Sequence, residues 1–205
     1  MHLSQILREG TASEHTRAEG ARFIQAMFKG EIPKKAYIRQ LEEFYHIYTV
    51  LENVLEKNQT HPKIKGIYFP ELKRKDSLAS DVIFFGGSLQ NKTLSATINY
   101  MEHLEKISKE SPELLVAHSY VRYLGDLSGG LILGKIIRRS YLLENGQGDA
   151  FYQFPISDPN SFKNDYRKAL DEIPLTDEEK TNVLEEARKS FDLNGKLFME
   201  LEQYL

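Results

Sequence analysis

The sequence of 205 residues contains no cysteine. Disulfide bonds, thiolate metal sites and cysteine nucleophiles are therefore excluded, and the composition fits a reducing compartment. No stretch approaches the ~18 consecutive apolar residues of a membrane span. The first ten residues, MHLSQILREG, lack the basic, apolar and small-residue regions of a signal peptide. We expect a cytoplasmic protein without a membrane anchor.

An excess of charge of one sign is also missing. The chain has 27 Lys and Arg against 30 Asp and Glu, a formal net charge of −3. No global basic field therefore points to nucleic acid. The hydrophobic fraction of 40% and the charged fraction of 28% are typical of a globular chain. We found no repeat or linker, and we predict one domain over residues 1–205.

Convincing strand patterns are absent, and apolar residues recur at helical spacing. Stop and start signals divide this pattern. The first predicted helical segment ends at Gly30, the second runs from Pro33 to about residue 57, and a shorter one over 72–85 ends at Gly86 and Gly87. The next helix carries residues 94–104, and a long helix runs from the Ser111 cap to about Leu143. A short helix covers 161–171, and the last helix follows the T-x-x-E capping box of Thr176 and Glu179. Residues 144–155 form a loop with a possible short extended piece. We predict an all-α single-domain helical bundle.

Three glycines interrupt the middle of the long predicted helix, in the stretch YLGDLSGG. An interior helical glycine costs about 1 kcal/mol relative to alanine. Gly125 and Gly129 are four residues apart and share a helix face, with Gly130 beside them. Two explanations are open: close helix–helix packing, or a face without Cβ atoms against which a flat ligand lies. Glycine pairs also permit a kink.

Asp126 stands between these glycines in an apolar helix. Burying a carboxylate is unfavourable unless it is hydrogen-bonded or contacts water. Arg122, four residues earlier on the same face, is one candidate partner. A cavity beside the glycines, with water in it, is the other explanation.

A planar macrocycle in such a cavity needs an axial ligand. The chain has six histidines: His2, His15, His46, His61, His103 and His118. His15 alone is uninformative, because a lone helical histidine is more often a surface residue than a ligand. We interpret His46, in the aromatic run FYHIY, as a core histidine and His118 as structural.

Together these features resemble the haem (heme) oxygenase family over nearly the whole chain. The most specific block is YLGDLSGG, 123–130, preceded by ELLVAHSYVR. Five further blocks follow the family's order, and with the 113–130 block they make six: EHTRAE at 14–19, FYHIYTVLE at 44–52, YFPEL at 68–72, FKNDYR at 162–167, and SFDLNGKLFMEL at 190–201. The match implies the family's helical fold.

The resemblance implies that haem is both substrate and cofactor, held between a proximal N-terminal helix and a kinked distal helix. His15 matches the axial iron ligand, and Glu19 matches the residue that orients this histidine. Gly125 and Gly129, with Gly130 beside them, match the glycines whose backbone meets the haem. These glycines lower the stability of the helix, but they allow close contact with the ligand and mobility of the helix.

The resemblance also implies the reaction. Asp126 matches the distal carboxylate, which delivers protons through ordered water, and Tyr48 and Asn194 match residues that support this network. O2 and electrons from an external donor (a reductase, ferredoxin or flavodoxin) convert haem to biliverdin, carbon monoxide and ferrous iron. Because GDLSGG is intact, we expect ring opening at the α-meso carbon.

Cations at the mouth would hold the propionates. Lys163 and Arg167, four apart on one helix face, match the family's contacts, and Arg8 and Tyr120 fit further ones. Ala12 departs from the pattern, because many relatives carry a lysine there, and anchoring is then weaker or redistributed. Four apolar residues match the pocket lining, although plain helical core explains them equally well: Ile24, Met27, Phe191 and Phe198.

The sequence is also compared with two alternative functions, a di-iron enzyme and a haem-storage protein. Glu43 and His46 form E-x-x-H, half of a di-iron motif, but the chain holds no second copy. A protein that stores haem on the same fold would not need Asp126. The chain ends in an amphipathic helix where animal relatives carry a membrane tail, so it resembles the soluble bacterial type, and we expect a monomer.

Overall fold

Helices make up the regular secondary structure of the computed structural model, which describes residues 2–144 and 146–205. The α-helices are α1 (Leu3–Gly10), α2 (Ala12–Glu19), α3 (Arg22–Lys29), α4 (Lys34–Lys57), α5 (Lys75–Phe85), α6 (Ser95–Glu110), α7 (Leu115–Ser119), α8 (Leu131–Ser140), α9 (Pro159–Asp171) and α10 (Asp177–Leu201). Short 3₁₀ turns lie at Lys65–Ile67, Pro70–Leu72, Pro112–Leu114, Ala150–Tyr152 and Glu202–Tyr204. The all-α prediction is confirmed.

The predicted long helix from residue 112 to about 143 is not one continuous α-helix. A 3₁₀ turn opens it, α7 follows, and two π-helical stretches, Tyr120–Leu124 and Asp126–Gly130, precede α8. Such wide turns arise where the α-helical ladder is weak and often mark functional sites. Gly125 lies between the two π-helical stretches, so the glycines coincide with the distortion.

The N-terminal segment is likewise divided, into α1, α2 and α3. At the first break the Thr11 hydroxyl donates to the Leu7 carbonyl at 2.7 Å, and at the second Gln25 Nε2 donates to the Glu19 carbonyl at 2.6 Å. The Gln25 bond satisfies a carbonyl at the second break, whereas the Leu7 carbonyl also accepts the Thr11 N–H at 3.1 Å. The apolar spacing spans both breaks, which is why the sequence suggested one helix.

Most predicted termini are confirmed. Gly30 and Gly86 end α3 and α5 in left-handed conformations, with φ of 70° and 80°. Thr176 and Glu179 form the predicted capping box, whose two bonds are 3.2 and 2.9 Å long and stabilise the helix by about 1 kcal/mol. Ser111 gives no side-chain cap hydrogen bond, and the possible extended piece contains the 3₁₀ turn Ala150–Tyr152 instead.

Helices α4 and α10 form the centre of the bundle. Helix α4 packs against α5 and α6, whereas α10 contacts α1, α2, α3, α6 and α7. Phe44 on α4 meets Phe198 on α10 and Phe151, with ring centroids 6.3 and 5.8 Å away. None of the helices in the described ranges has the length and apolar character needed to cross a bilayer.

Candidate active site

A cavity of about 790 Å³ separates α2 from the π-helical region, and α4, α9 and α10 close its sides. Its volume lies within the range of small-molecule and cofactor sites. The predicted site residues among its lining are Arg8, His15, Glu19, Tyr120, Gly125, Asp126, Gly129, Gly130, Arg167 and Phe191. The structure thus brings together residues that are up to 183 positions apart in sequence, from α1, α2, α9, α10 and the π-helical region.

Helix α2 forms one wall of this cavity and buries none of its side chains. A helix that packed only against protein would bury an apolar stripe. The His15 side chain is 60% exposed, and its Nδ1 lies 3.7 Å from Glu19 Oε1. The Phe191 ring meets the imidazole edge-on, with centroids 6.2 Å apart. His15 is therefore oriented from two sides and open towards the cavity.

The opposite wall explains two of the glycines. A Cβ built on Gly125 or Gly129 meets no heavy atom of the described residues within 4 Å. At Gly134, in contrast, it would lie 2.6 Å from Tyr152 Cβ. Close packing therefore accounts for Gly134, whereas Gly125 and Gly129 present bare backbone to open space. Close packing against protein therefore does not explain Gly125 and Gly129, and the open space beside them is what the ligand explanation requires.

Gly130 is a mixed case. A Cβ there would lie 3.6 Å from Asp126 Cβ and 3.7 Å from Tyr152 Cδ1, which are ordinary contacts. Gly130 is buried, and it also lines the cavity.

Asp126 is held by a hydrogen-bond network behind the glycine wall. The Tyr48 hydroxyl donates to Asp126 Oδ2 and accepts from Arg122 Nε at 3.1 Å. Arg122 Nη1 donates to Asn194 Oδ1, and Asn194 Nδ2 donates to the Ser190 carbonyl at 2.7 Å. Arg122 thus reaches Asp126 through the Tyr48 hydroxyl, while the carboxyl group stays beside the cavity.

Burial sets the proton affinities of this network. Desolvation raises the pKa of Asp126, and the Arg122 charge and the Tyr48 bond oppose this only in part. The pKa of Tyr48 rises well above its usual value, again chiefly because the hydroxyl is buried. Burial disfavours the Arg122 cation, but Tyr48 and Asp126 more than offset this and raise its pKa. Tyr48 and Arg122 therefore remain protonated donors.

Positive charge gathers at the open end of the cavity. Arg8 and Arg167 both line it, and the Arg8 side chain is 75% exposed. Both cations lower the pKa of Tyr120, although burial dominates and raises it overall. Lys163 is half-buried one turn before Arg167 on α9 and lies outside the set of lining residues. Ala12 lines the cavity, so the position where relatives carry a lysine does face this site.

Three of the four apolar residues predicted to line the pocket do line the cavity. Ile24, Phe191 and Phe198 line the cavity, whereas Met27 on α3 is fully buried in the hydrophobic core of the protein and does not line it. Sequence reasoning missed several lining residues: Gln40, Phe44, Ser128, Leu133, Phe151 and Tyr152. Spacing offered a signal for two of them, since Gln40 and Phe44 precede Tyr48 by two turns and one turn on α4.

Two further histidines, His103 and His118, are hydrogen-bonded to Glu186. His118 is buried, with Nε2 2.7 Å from Glu186 Oε1 and Nδ1 3.1 Å from the Tyr100 hydroxyl. Glu43 is paired with Arg39 at 2.5 Å and accepts the Leu94 N–H at 3.1 Å, so it serves the start of α6. Across the described residues, the histidine–carboxylate grouping compact enough for a metal is His103, His118 and Glu186. It includes neither half of the E-x-x-H pattern, so the di-iron alternative has no support.

A second groove of about 960 Å³ lies between the start of α4 and the end of α10. Lysines and polar residues dominate its lining, among them Lys34, Lys35 and Lys92. It shares no residue with the cavity described above, and none of the predicted site residues reaches it.

Comparisons with known proteins match nearly the whole chain to one family. A family model described as heme oxygenase matches residues 1–200. The heme oxygenase of Porphyra purpurea is 46% identical over 203 residues, which cover 97% of this chain and 86% of that protein. Heme oxygenase 1 of Synechocystis is 41% identical over 206 residues, or 98% of this chain and 85% of that protein.

Solved structures match equally well. The heme oxygenase of Leptospira interrogans has a TM-score of 0.94 at 48% identity and covers 98% of this chain and 100% of that chain. The crystal structure of Synechocystis heme oxygenase-1 in complex with heme has a TM-score of 0.94 at 40% identity, covering 99% and 93%. The chain therefore belongs to the heme oxygenase family and is an enzyme that uses O2 and external electrons to degrade haem to biliverdin, carbon monoxide and iron.

Proposed function

We propose that haem binds in the cavity between α2 and residues 125–130, with His15 as its axial iron ligand. The observation that carries this proposal is the pairing of two features across one cavity. An exposed imidazole lies on one wall, and a wall at Gly125 and Gly129 with room beyond the backbone lies opposite. His15 Nδ1 lies towards Glu19, which leaves Nε2 for the iron.

When bound, haem supplies both the iron that activates oxygen and the ring that is oxidised. The chain's own contribution on the glycine side is to keep side chains away and to place one acid nearby. Asp126 holds a proton more readily than an ordinary aspartate because it is buried. Its Oδ2 is fixed by the Tyr48 hydroxyl, so the other carboxyl oxygen is left for water in the cavity. We assign Asp126 the role of proton donor, and Tyr48 and Asn194 the role of supporting its network.

The cations at the open end suit the haem propionates. Arg8 and Arg167 reach the lining, and Tyr120 between them adds a hydroxyl. Arginine pairs with carboxylates through two parallel hydrogen bonds, which fixes orientation as well as position. Lys163 would join this group by turning its flexible side chain. This anchoring favours opening at the α-meso carbon, which lies on the side of the ring opposite the propionates.

The remaining proposals concern context. We propose that the chain acts as a monomer of one domain over residues 1–205, in the cytoplasm, with a reductase, ferredoxin or flavodoxin as electron donor. The near-neutral charge of −3 does not distinguish among these donors.

Aerobic reduction of the haem complex tests the proposed site. The full chain is titrated with hemin, reduced in air, and its bilin product is identified by chromatography. We expect a histidine-ligated Soret spectrum that disappears as α-biliverdin forms. A Soret band that persists through many reducing equivalents, with no biliverdin, would instead indicate storage.

A matched pair of histidine variants tests the ligand. His15→Ala should lose the histidine-ligated spectrum and most activity, whereas His61→Ala, in the loop after α4, should keep both. Unchanged spectra and turnover in His15→Ala would remove His15 from the site.

A further inference from the structure

The amide oxygen of Gln40, at the cavity wall, is buried and has no hydrogen-bond partner among the described residues. The residue is 3% exposed and lines the cavity. No group within residues 2–144 and 146–205 forms a hydrogen bond with its Oε1. An unpaired buried amide is unfavourable, and native structures rarely keep one. Its place in the wall points to a partner that enters the cavity.

Gln40 lies in a buried part of the cavity lining, in contrast to the exposed cation Arg8. It precedes Phe44 by one turn and Tyr48 by two turns on α4, and eight residues of helix span about 12 Å. Phe44 is 4% exposed and packs against Phe198. The open end holds Arg8, whose side chain is 75% exposed. Gln40 is therefore enclosed by protein, so its polarity is not explained by contact with solvent.

Haem and biliverdin differ in the chemical groups that they would present to Gln40. This step rests on the proposed function, in which the propionates lie at the open end. The opposite edge of intact haem then carries only C–H, methyl and vinyl groups, which offer no hydrogen bond to an amide. Opening at the α-meso carbon leaves two lactam groups at that same edge of biliverdin. A carboxamide provides both the donor and the acceptor that a lactam needs.

We propose that Gln40 binds the lactam edge of biliverdin and so distinguishes the opened product from the intact substrate. The side chain is then a product-binding residue whose partner is a linear tetrapyrrole lactam. It holds the product after ring opening and contributes nothing to the affinity for haem.

Separate titrations of the full chain with biliverdin and with hemin test this assignment. Gln40→Met keeps the volume of the side chain and removes the amide. Loss of one hydrogen bond predicts a biliverdin Kd raised about 3- to 10-fold, with a haem Kd that stays within about twofold. Gln203→Met, outside this cavity, should change neither constant. Gln40→Leu, measured alongside after a circular dichroism check, should give the same order of effects.

Two outcomes would overturn the proposal: an unchanged biliverdin Kd in both Gln40 variants, or an equal loss for haem and biliverdin, which would mean packing alone. Failure of the unaltered chain to bind haem would instead refute the proposed function. The two failures are therefore distinguishable.

Discussion

Alanine at position 129 should stabilise the haem-free protein and weaken its binding of haem. Gly129 has room for a Cβ, because such an atom meets no heavy atom of the described residues within 4 Å. Replacing a helical glycine by alanine gains up to about 1 kcal/mol. For a domain of this size that gain raises Tm by about 2–4 °C. The stability gain needs no new contact.

Binding of haem should respond in the opposite direction. The added methyl group projects into the space that we assign to the macrocycle. Overpacking of a filled site costs typically 1–3 kcal/mol, which corresponds to a loss of affinity of about 5- to 150-fold. One methyl group thus separates the stability of the fold from the fit of the ligand.

Two other glycines provide controls for this experiment. Gly195 on α10 also has free space for a Cβ among the described residues and does not line the cavity, so Gly195→Ala should raise Tm and leave haem affinity unchanged. Gly134→Ala should lower Tm, because its Cβ would lie 2.6 Å from Tyr152 Cβ. Calorimetry of the haem-free variants and hemin titration provide the two measurements. A lower Tm for Gly129→Ala, or an unaltered hemin Kd, would refute the reasoning.

Three further predictions concern charge. Asp126→Asn should keep haem affinity within about twofold but slow biliverdin formation at least about 100-fold; normal formation would exclude the proton-donor role. Arg167→Ala should raise the haem Kd more than Lys163→Ala, because of these two residues only Arg167 lines the cavity. The reverse order in hemin titrations would contradict the placement of the haem propionates beside Arg167. His118 and His103 hydrogen bonds outweigh burial and lower the pKa of Glu186 to about 2. Its stabilisation is therefore full above the ordinary value of about 4.5 and falls as pH drops towards 2. In urea unfolding, the free energy of unfolding of Glu186→Gln should fall less steeply over this pH range than that of the unaltered chain. An equally steep fall in the variant would exclude Glu186 as the cause.

Local signals predicted much of the fold. Gly30 and Gly86 end helices because a left-handed residue is needed there, and Thr176 caps a helix with a glutamate three residues later. Each of these features depends on neighbours within one turn. The sequence carries that information directly, so the predicted and observed ends agree.

Features that depend on tertiary contacts were not predictable in the same way. The apolar spacing across residues 112–143 is compatible with a continuous α-helix, and the glycines indicate a kink there but not its π-helical form. Gly129 and Gly134 look alike in sequence, yet one faces a cavity and the other faces Tyr152. The partner that distinguishes them is 18 residues beyond Gly134. Similarly, Met27 has the spacing of its neighbour Ile24 but points into the core.

There is a physical reason why the Tyr48 hydroxyl lies between Arg122 and Asp126 in the hydrogen-bond network. If Arg122 touched the carboxylate directly, the ion pair would lower the pKa of Asp126 and hold it as an anion. With the Tyr48 hydroxyl interposed, the arginine charge acts at longer range, and burial wins: the pKa of Asp126 is raised. Arg122 still has a task, because its bond to the Tyr48 oxygen fixes the hydroxyl as a donor towards Asp126. The arrangement thus orients the carboxyl group and keeps its pKa above the ordinary value, which suits the proton-donor role that we propose for Asp126.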